Sequence, residues 1–214
     1  MKNLFLLLSL SIITAYSTFA QQDEKAKGIL DKVSLKTKAY KTLKAEFQFT
    51  ISNKTEGINE SQIGTIQIKG DKYFLSIKGQ DVMCDGKSIY TVLKDASEVQ
   101  INTIPDKSEE EYISPNKIFT IYENGFNYKY VKEEAGLHLI NLYPKNAEDK
   151  AYHTITLYVN SVKNEITKVK VNGKDGSITT YTVKSFTPDV VIPDTQFAFD
   201  KSKYPKFEII DLRD

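Results

Sequence analysis

The chain is poor in the residues that carry most chemistry. It has a single cysteine, two histidines, two methionines and no tryptophan in 214 residues. One cysteine excludes an internal disulfide framework, so the fold must be held by its core. Cys84 lies in the apolar run Val82-Met83-Cys84, which reads as a buried, inert thiol rather than a nucleophile. His138 and His153 each stand alone in strand-like segments, with no partner at metal-ligand spacing. There is no G-x-S-x-G elbow, no Walker A loop and no G-x-G-x-x-G turn. Asp and Glu are abundant but scattered, so a paired-carboxylate hydrolase is left without a supporting pattern. Excess charge is lacking too. The chain has 29 basic and 28 acidic residues, and one of the basic ones, Lys2, lies in the leader described next. That near-neutral balance gives no nucleic-acid footprint. No catalytic, metal or cofactor site is expected, and a binding protein is favoured.

Long hydrophobic runs are absent except at the start. Met1-Lys2-Asn3 is a short positive head, Leu4 to Ile13 is apolar apart from two serines, and Thr18-Phe19-Ala20 offers a small-x-small cleavage site. This is the three-part layout of a signal peptide over residues 1–20. The run is shorter than the roughly 18 apolar residues a membrane span needs. Gln21 would be the first mature residue, and since it is not cysteine, no lipid anchor is expected there. Residues 21–214 suit one domain.

Residues 22–40 predict a helix, with Ala26, Leu30, Val33 and Thr37 at helical spacing and lysines opposite. Period two then takes over. Phe47, Phe49 and Ile51 alternate in one segment and Ile66 and Ile68 in the next. Gly70-Asp71 is a turn, Tyr73 to Ile77 a strand, Asp85-Gly86 a hairpin signal, and Ile89–Leu93 and Val99–Thr103 two further strands. Ser114-Pro115 opens a central helix bearing Ile118, Phe119 and Tyr122, and Asn124-Gly125 ends it. The acidic run Glu109–Glu111 before it reads as a solvated loop. Strands follow at 126–131, 137–143, 154–159, 166–171 and 178–186, and Phe197-Ala198-Phe199 and Phe207–Ile210 close the chain. About ten short antiparallel strands with two helices predict an α+β fold. Its curved sheet would form an incomplete barrel whose concave apolar face is covered by helices.

The stretch Gly64-Thr65-Ile66-Gln67-Ile68-Lys69-Gly70-Asp71-Lys72-Tyr73-Phe74 resembles the G-x-hydrophobic-x-hydrophobic-K/R-x-P-x-x-F segment of the LolA family, the periplasmic outer-membrane lipoprotein carriers. Asp85-Gly86-Lys87-Ser88-Ile89-Tyr90 resembles the family's D-G-K-x-hydrophobic-aromatic turn. Ser114–Phe119 resembles its lid-helix region, and Phe197-Ala198-Phe199 its closing F-x-F strand. The resemblance implies a strongly curved, unclosed β-barrel with a helical lid. It implies a monomeric, non-enzymatic periplasmic carrier that takes the acyl chains of lipoproteins from a LolCDE-type ABC transporter at the inner membrane and passes them to an outer-membrane acceptor. The cavity would be lined by Phe47, Phe49, Ile66, Ile68, Tyr73, Leu75, Ile77 and Tyr90, with Ile118, Phe119 and Tyr122 from the lid. Phe74 would replace its neighbours if the strand register slipped by one. The family's lid-latching Arg and the Pro after it are here Gly70 and Asp71, and its Trp after the turn is Tyr90. A carrier of another lipid and a lipoprotein-sensing module are alternative readings of the same resemblance.

Overall fold

The computed structural model describes residues 23–104, 121–123 and 125–213. The expected signal peptide, the acidic run and the part of the expected central helix that carries Ile118 and Phe119 lie outside them.

Helix α1 runs Glu24–Ala39. Asp23 caps it, its carboxylate accepting from the Ala26 N–H at 3.0 Å. Ala26, Ile29, Leu30 and Val33 are buried, an i, i+3, i+4, i+7 stripe, while the lysines face outward. Twelve strands follow among the described residues: β1 (Leu43–Asn53), β2 (Ile58–Lys69), β3 (Lys72–Ile77), β4 (Gln80–Cys84), β5 (Ser88–Leu93), β6 (Glu98–Thr103), β7 (Phe126–Glu134), β8 (Leu137–Pro144), β9 (Tyr152–Asn160), β10 (Glu165–Gly173), β11 (Ile178–Pro188) and β12 (Glu208–Asp211). They form one sheet in the order β12-β6-β5-β4-β3-β2-β1-β11-β10-β9-β8-β7. Every pair is antiparallel except β12 with β6. The edge strands β7 and β12 do not meet, so the barrel is unclosed, as expected.

The turns follow their residues. Gly70 takes φ +59 in the two-residue β2–β3 hairpin, as a primed turn requires of its first central residue. An arginine there would be strained, so the position occupied by the family's latch is in this chain a hairpin tip. Asp85 accepts from the N–H groups of Lys87 and Ser88, each at 2.8 Å, to shape the β4–β5 turn.

Two segments differ from expectation. β4 gives no alternating signal because both of its faces are covered: Cys84 packs in one cluster and Met83 in another on the opposite side. Phe197-Ala198-Phe199 is not a strand. Pro193 leads into a 3-10 turn over Asp194–Phe197, Phe197 is fully buried, and Asp200 folds back to accept from the Ser202 N–H. Phe199 then stacks on Tyr90 and Tyr204, at centroid distances of 5.0 and 5.6 Å. The C-terminal segment thus seals the outer face of β3–β6 with Phe199, Tyr204, Phe207 and Ile209 over Met83, Val92 and Val99.

Asp23 does a second job. β7 has a bulge between Tyr130 and Lys132, and the Tyr130 N–H donates to Asp23 at 2.9 Å. One carboxylate therefore caps the helix and pins it to the edge strand. These backbone donors, Ala26 first, hold its pKa below the ordinary value of 3.8. Asp23→Ala is expected to lower stability by about 1 kcal/mol in denaturant melts. In the wild type this contribution is complete above pH ~4 and lost as pH falls through the depressed folded pKa; the difference between wild type and variant should shrink on acidification.

Candidate functional site: an apolar trough on the helix-bearing face

Cross-strand register places Leu43, Ala45, Phe47, Phe49 and Ile51 of β1 on one face with Gly64, Ile66 and Ile68 of β2. Tyr73, Leu75 and Ile77 of β3 join them, then Val82 and Cys84 of β4 and Ile89 of β5. In the other direction the same face continues through Tyr181 of β11, Val169 of β10, Leu157 of β9 and Ile140 of β8. α1 lies on this face, but only over one half of it. Its apolar stripe packs with Tyr122, Phe126, Tyr128, Ile140, Leu142, Ile155, Leu157, Val159, Ile166 and Val169 into a closed core.

The β1–β5 half has a different character. At one end Leu43, Ile68, Tyr73, Cys84 and Ile89 form a compact buried cluster, closed at the corner by Tyr40 edge-on to Phe186 at 5.7 Å. Beyond it Phe47, Phe49, Ile51, Ile66, Leu75, Ile77 and Val82 are only half-buried. Gln62, opposite Phe49, and Gln80, opposite Ile77, mark a polar rim. The result is a trough with an apolar floor, one sealed end and one wet end.

The expected lining residues therefore separate. Phe47, Phe49, Ile66, Leu75 and Ile77 come together on the half-buried floor. Ile68 and Tyr73 are on the same face but in the sealed end, 8% and 1% exposed. Phe74 points to the opposite side, so the register does not slip. Tyr122 belongs to the helix-covered core; its hydroxyl donates to the Leu30 carbonyl at 2.6 Å. Tyr90 is a correction. It falls on the outer face, stacked on Phe199, with its hydroxyl donating to Asp85 at 3.1 Å. Strand parity from Ile89 puts it there, because Ile89 already faces the trough.

Sequence reasoning missed Val82 and Tyr181. Val82 sits in the unrecognised β4. Tyr181 was hidden by a bulge: Glu46 pairs with Ser185 but Phe47 with Val183, leaving Lys184 as the extra residue. Apolar residues at 181, 183 and 186 are the trace of that bulge, since the last spacing breaks period two.

The floor is shaped by Gly64. A Cβ there would stand 2.5 Å from Phe47 Cζ and 2.8 Å from Ile77 Cγ2. Glycine lets both side chains lie across the strand. The opposite face of β1, β2 and β11 carries a groove of about 520 Å³ lined by Lys44, Ala45, Glu46, Thr65, Ser185, Thr187 and Val190, whose two charged and three hydroxyl side chains suit a hydrocarbon chain less well than the trough does. Elsewhere, Cys84 is buried and its thiol pKa pushed up by burial. His138 Nδ1 lies 3.5 Å from the Tyr130 hydroxyl, and His153 Nδ1 2.9 Å from Thr154 Oγ1. Among the described residues no three His, Cys, Asp or Glu side chains cluster to hold a metal ion, and no helix is long and apolar enough to cross a membrane.

An open sheet that, among the described residues, carries one α-helix over half of an apolar face is a LolA-like arrangement. Residues 16–176 match the family described as outer membrane lipoprotein carrier protein LolA, and the chain belongs to that family. Among curated proteins none matches significantly. Solved structures are similar to it. An uncharacterised conserved protein from Thermus thermophilus matches at 11% identity and TM-score 0.53, over 88% of this chain and 99% of the other. A LolA superfamily protein from Nitrosomonas europaea matches at 11% identity and TM-score 0.45, over 82% and 98%.

Two substitutions separate floor from core. Gly64→Ala is expected to push the Phe47 ring toward the open side, visible as altered ring contacts in NMR spectra, at a cost of about 1–2 kcal/mol in thermal melts. Tyr122→Phe should cost about 1 kcal/mol for the lost hydrogen bond and leave the trough unchanged. Burial pushes the Tyr122 pKa up to about 12 from 10.0. Its contribution is full below pH ~10 and lost as pH rises toward 12, because the unfolded chain releases the proton first. Melts from pH 9 to 12 should show a steeper loss in wild type than in Tyr122→Phe.

Proposed function

We propose that this chain is a periplasmic lipoprotein carrier. Its signal peptide exports it, and its trough takes up the acyl chains of a lipoprotein. A LolCDE-type transporter supplies the cargo, an outer-membrane acceptor receives it, and the chain catalyses no reaction. The carrying observation is the half-buried floor of Phe47, Phe49, Ile66, Leu75 and Ile77 beside a closed core, in a chain of the LolA family.

The physics supports the reading. Each methylene shielded from water contributes about 0.8 kcal/mol, so a chain laid along the floor is held by many small, undirected contacts. Such contacts are strong in sum and permit sliding, which a shuttle needs for release. The sealed end at Tyr73 and Cys84 gives the chain terminus a stop, and the rim at Gln62 and Gln80 gives the headgroup a wet exit.

The test is release of a radiolabelled lipoprotein from inner-membrane vesicles containing the transporter and ATP. The purified mature chain should bring lipoprotein into the soluble fraction. Phe49→Glu, which puts a charge on the floor, should cut release at least tenfold while leaving the far-UV circular dichroism unchanged. If wild type releases nothing and native mass spectrometry finds a different lipid in the purified protein, the lipoprotein cargo is wrong and carriage of that lipid replaces it.

A further inference from the structure

Tyr181 stands where the helix-covered core meets the open trough. It pairs with Phe49 on β1 and with Val169 on β10. Its ring lies 5.2 Å from that of Phe49 and 6.2 Å from that of Phe47, between centroids. Its other side packs against the closed core. The surroundings are hydrocarbon on both flanks, and burial alone pushes the hydroxyl's pKa up.

Other shielded tyrosines spend their hydroxyls within the protein: Tyr122 on Leu30, Tyr90 on Asp85. Tyr181 has no hydrogen-bond partner among the described residues, and its hydroxyl is not sealed from solvent. Water meets such a hydroxyl when the trough is empty, and it is free to donate to whatever displaces that water. Phenylalanine would pack the same ring and leave the apolar floor without this donor. A ligand that displaces this water along the apolar floor must bring a neutral acceptor in its place. A carboxylate does not fit, because the Phe, Ile, Leu and Val side chains of the floor offer no counter-charge.

We propose that Tyr181 is a specificity-determining residue of the trough: its hydroxyl donates a hydrogen bond to the carbonyl oxygen of the ester that joins an acyl chain to its headgroup. The bond sets how far a chain enters. It makes the trough selective for acyl esters over plain hydrocarbon, which undirected contacts with Phe47 and Phe49 cannot do. This rests on the acyl-chain reading of the trough.

Two lipids of equal chain and headgroup test it: 1-palmitoylglycerol, which has the carbonyl, and 1-O-hexadecylglycerol, which lacks it. Affinities are read by displacement of a naphthylamine fluorophore below the critical micelle concentrations. Wild type should bind the ester about fivefold more tightly, the contribution of one neutral hydrogen bond. Tyr181→Phe should lose that preference by weakening the ester alone, and Tyr143→Phe, which removes an exposed hydroxyl, should keep it. If Tyr181→Phe leaves the ratio unchanged while both lipids bind, the hydrogen bond is refuted and the acyl-chain reading stands. If wild type binds neither lipid, the acyl-chain reading falls, and the role of Tyr181 falls with it.

Discussion

A twelve-stranded sheet presents far more apolar surface on one face than α1 alone can hide. Strand spacing makes it roughly 50 Å across when laid flat, whereas the sixteen residues of α1 make a rod about 24 Å long and about 10 Å wide. The rod dries the part of the face on which it lies. Its place is fixed by the Asp23 carboxylate on the β7 bulge, by the Tyr122 hydroxyl on the Leu30 carbonyl and by the ion pair of Lys36 with Glu165 on β10 at 2.8 Å. Those contacts all belong to the β7–β10 side. Among the described residues no second α-helix lies over the β1–β4 floor, and that floor is half-buried.

The outer face is treated differently. Over β3–β6 it is covered by the chain's own C-terminal segment, with three aromatic rings in sequence from Tyr90 through Phe199 to Tyr204. Both sides of β4 and β5 are thus occupied at their sealed end. Farther along β1, β2 and β11 the outer face is polar. The sheet therefore has one dry side that is partly open and one side that is either packed or wet.

Much of this can be read from residues alone, because the signals are periodic. Residues 22–40 carry a helical stripe, and the observed helix, Glu24–Ala39, matches within two residues. Simple alternation assigns Phe47, Phe49, Ile66, Leu75 and Ile77 to one face, and the ladder keeps them there. The failures share a cause. Alternation is silent where both faces are buried, which hides β4. It misleads across a bulge, which hides Tyr181. It also says nothing about which face a strand after a turn presents: the aromatic character of Tyr90 suggests the trough, while the parity of Ile89 sends it outside. Phe197 and Phe199 look like a strand because aromatic alternation also suits a segment laid across a sheet, where Pro193 and the fold-back of Asp200 prevent any ladder.

The absence of closure has a mechanical meaning. In a closed barrel, circumference is fixed by the number of strands and their shear, so the interior cannot widen without rupturing a ladder. Here β7 and β12 end the sheet as separate edges, β7 guarded by charges such as Lys129, Lys132 and Glu134, and β12 only four residues long. Each hydrogen-bonded pair can then alter its twist by a few degrees with no bond lost, and the changes add across the sheet. An open sheet of this kind can widen or narrow the space across its apolar face without rupturing a ladder.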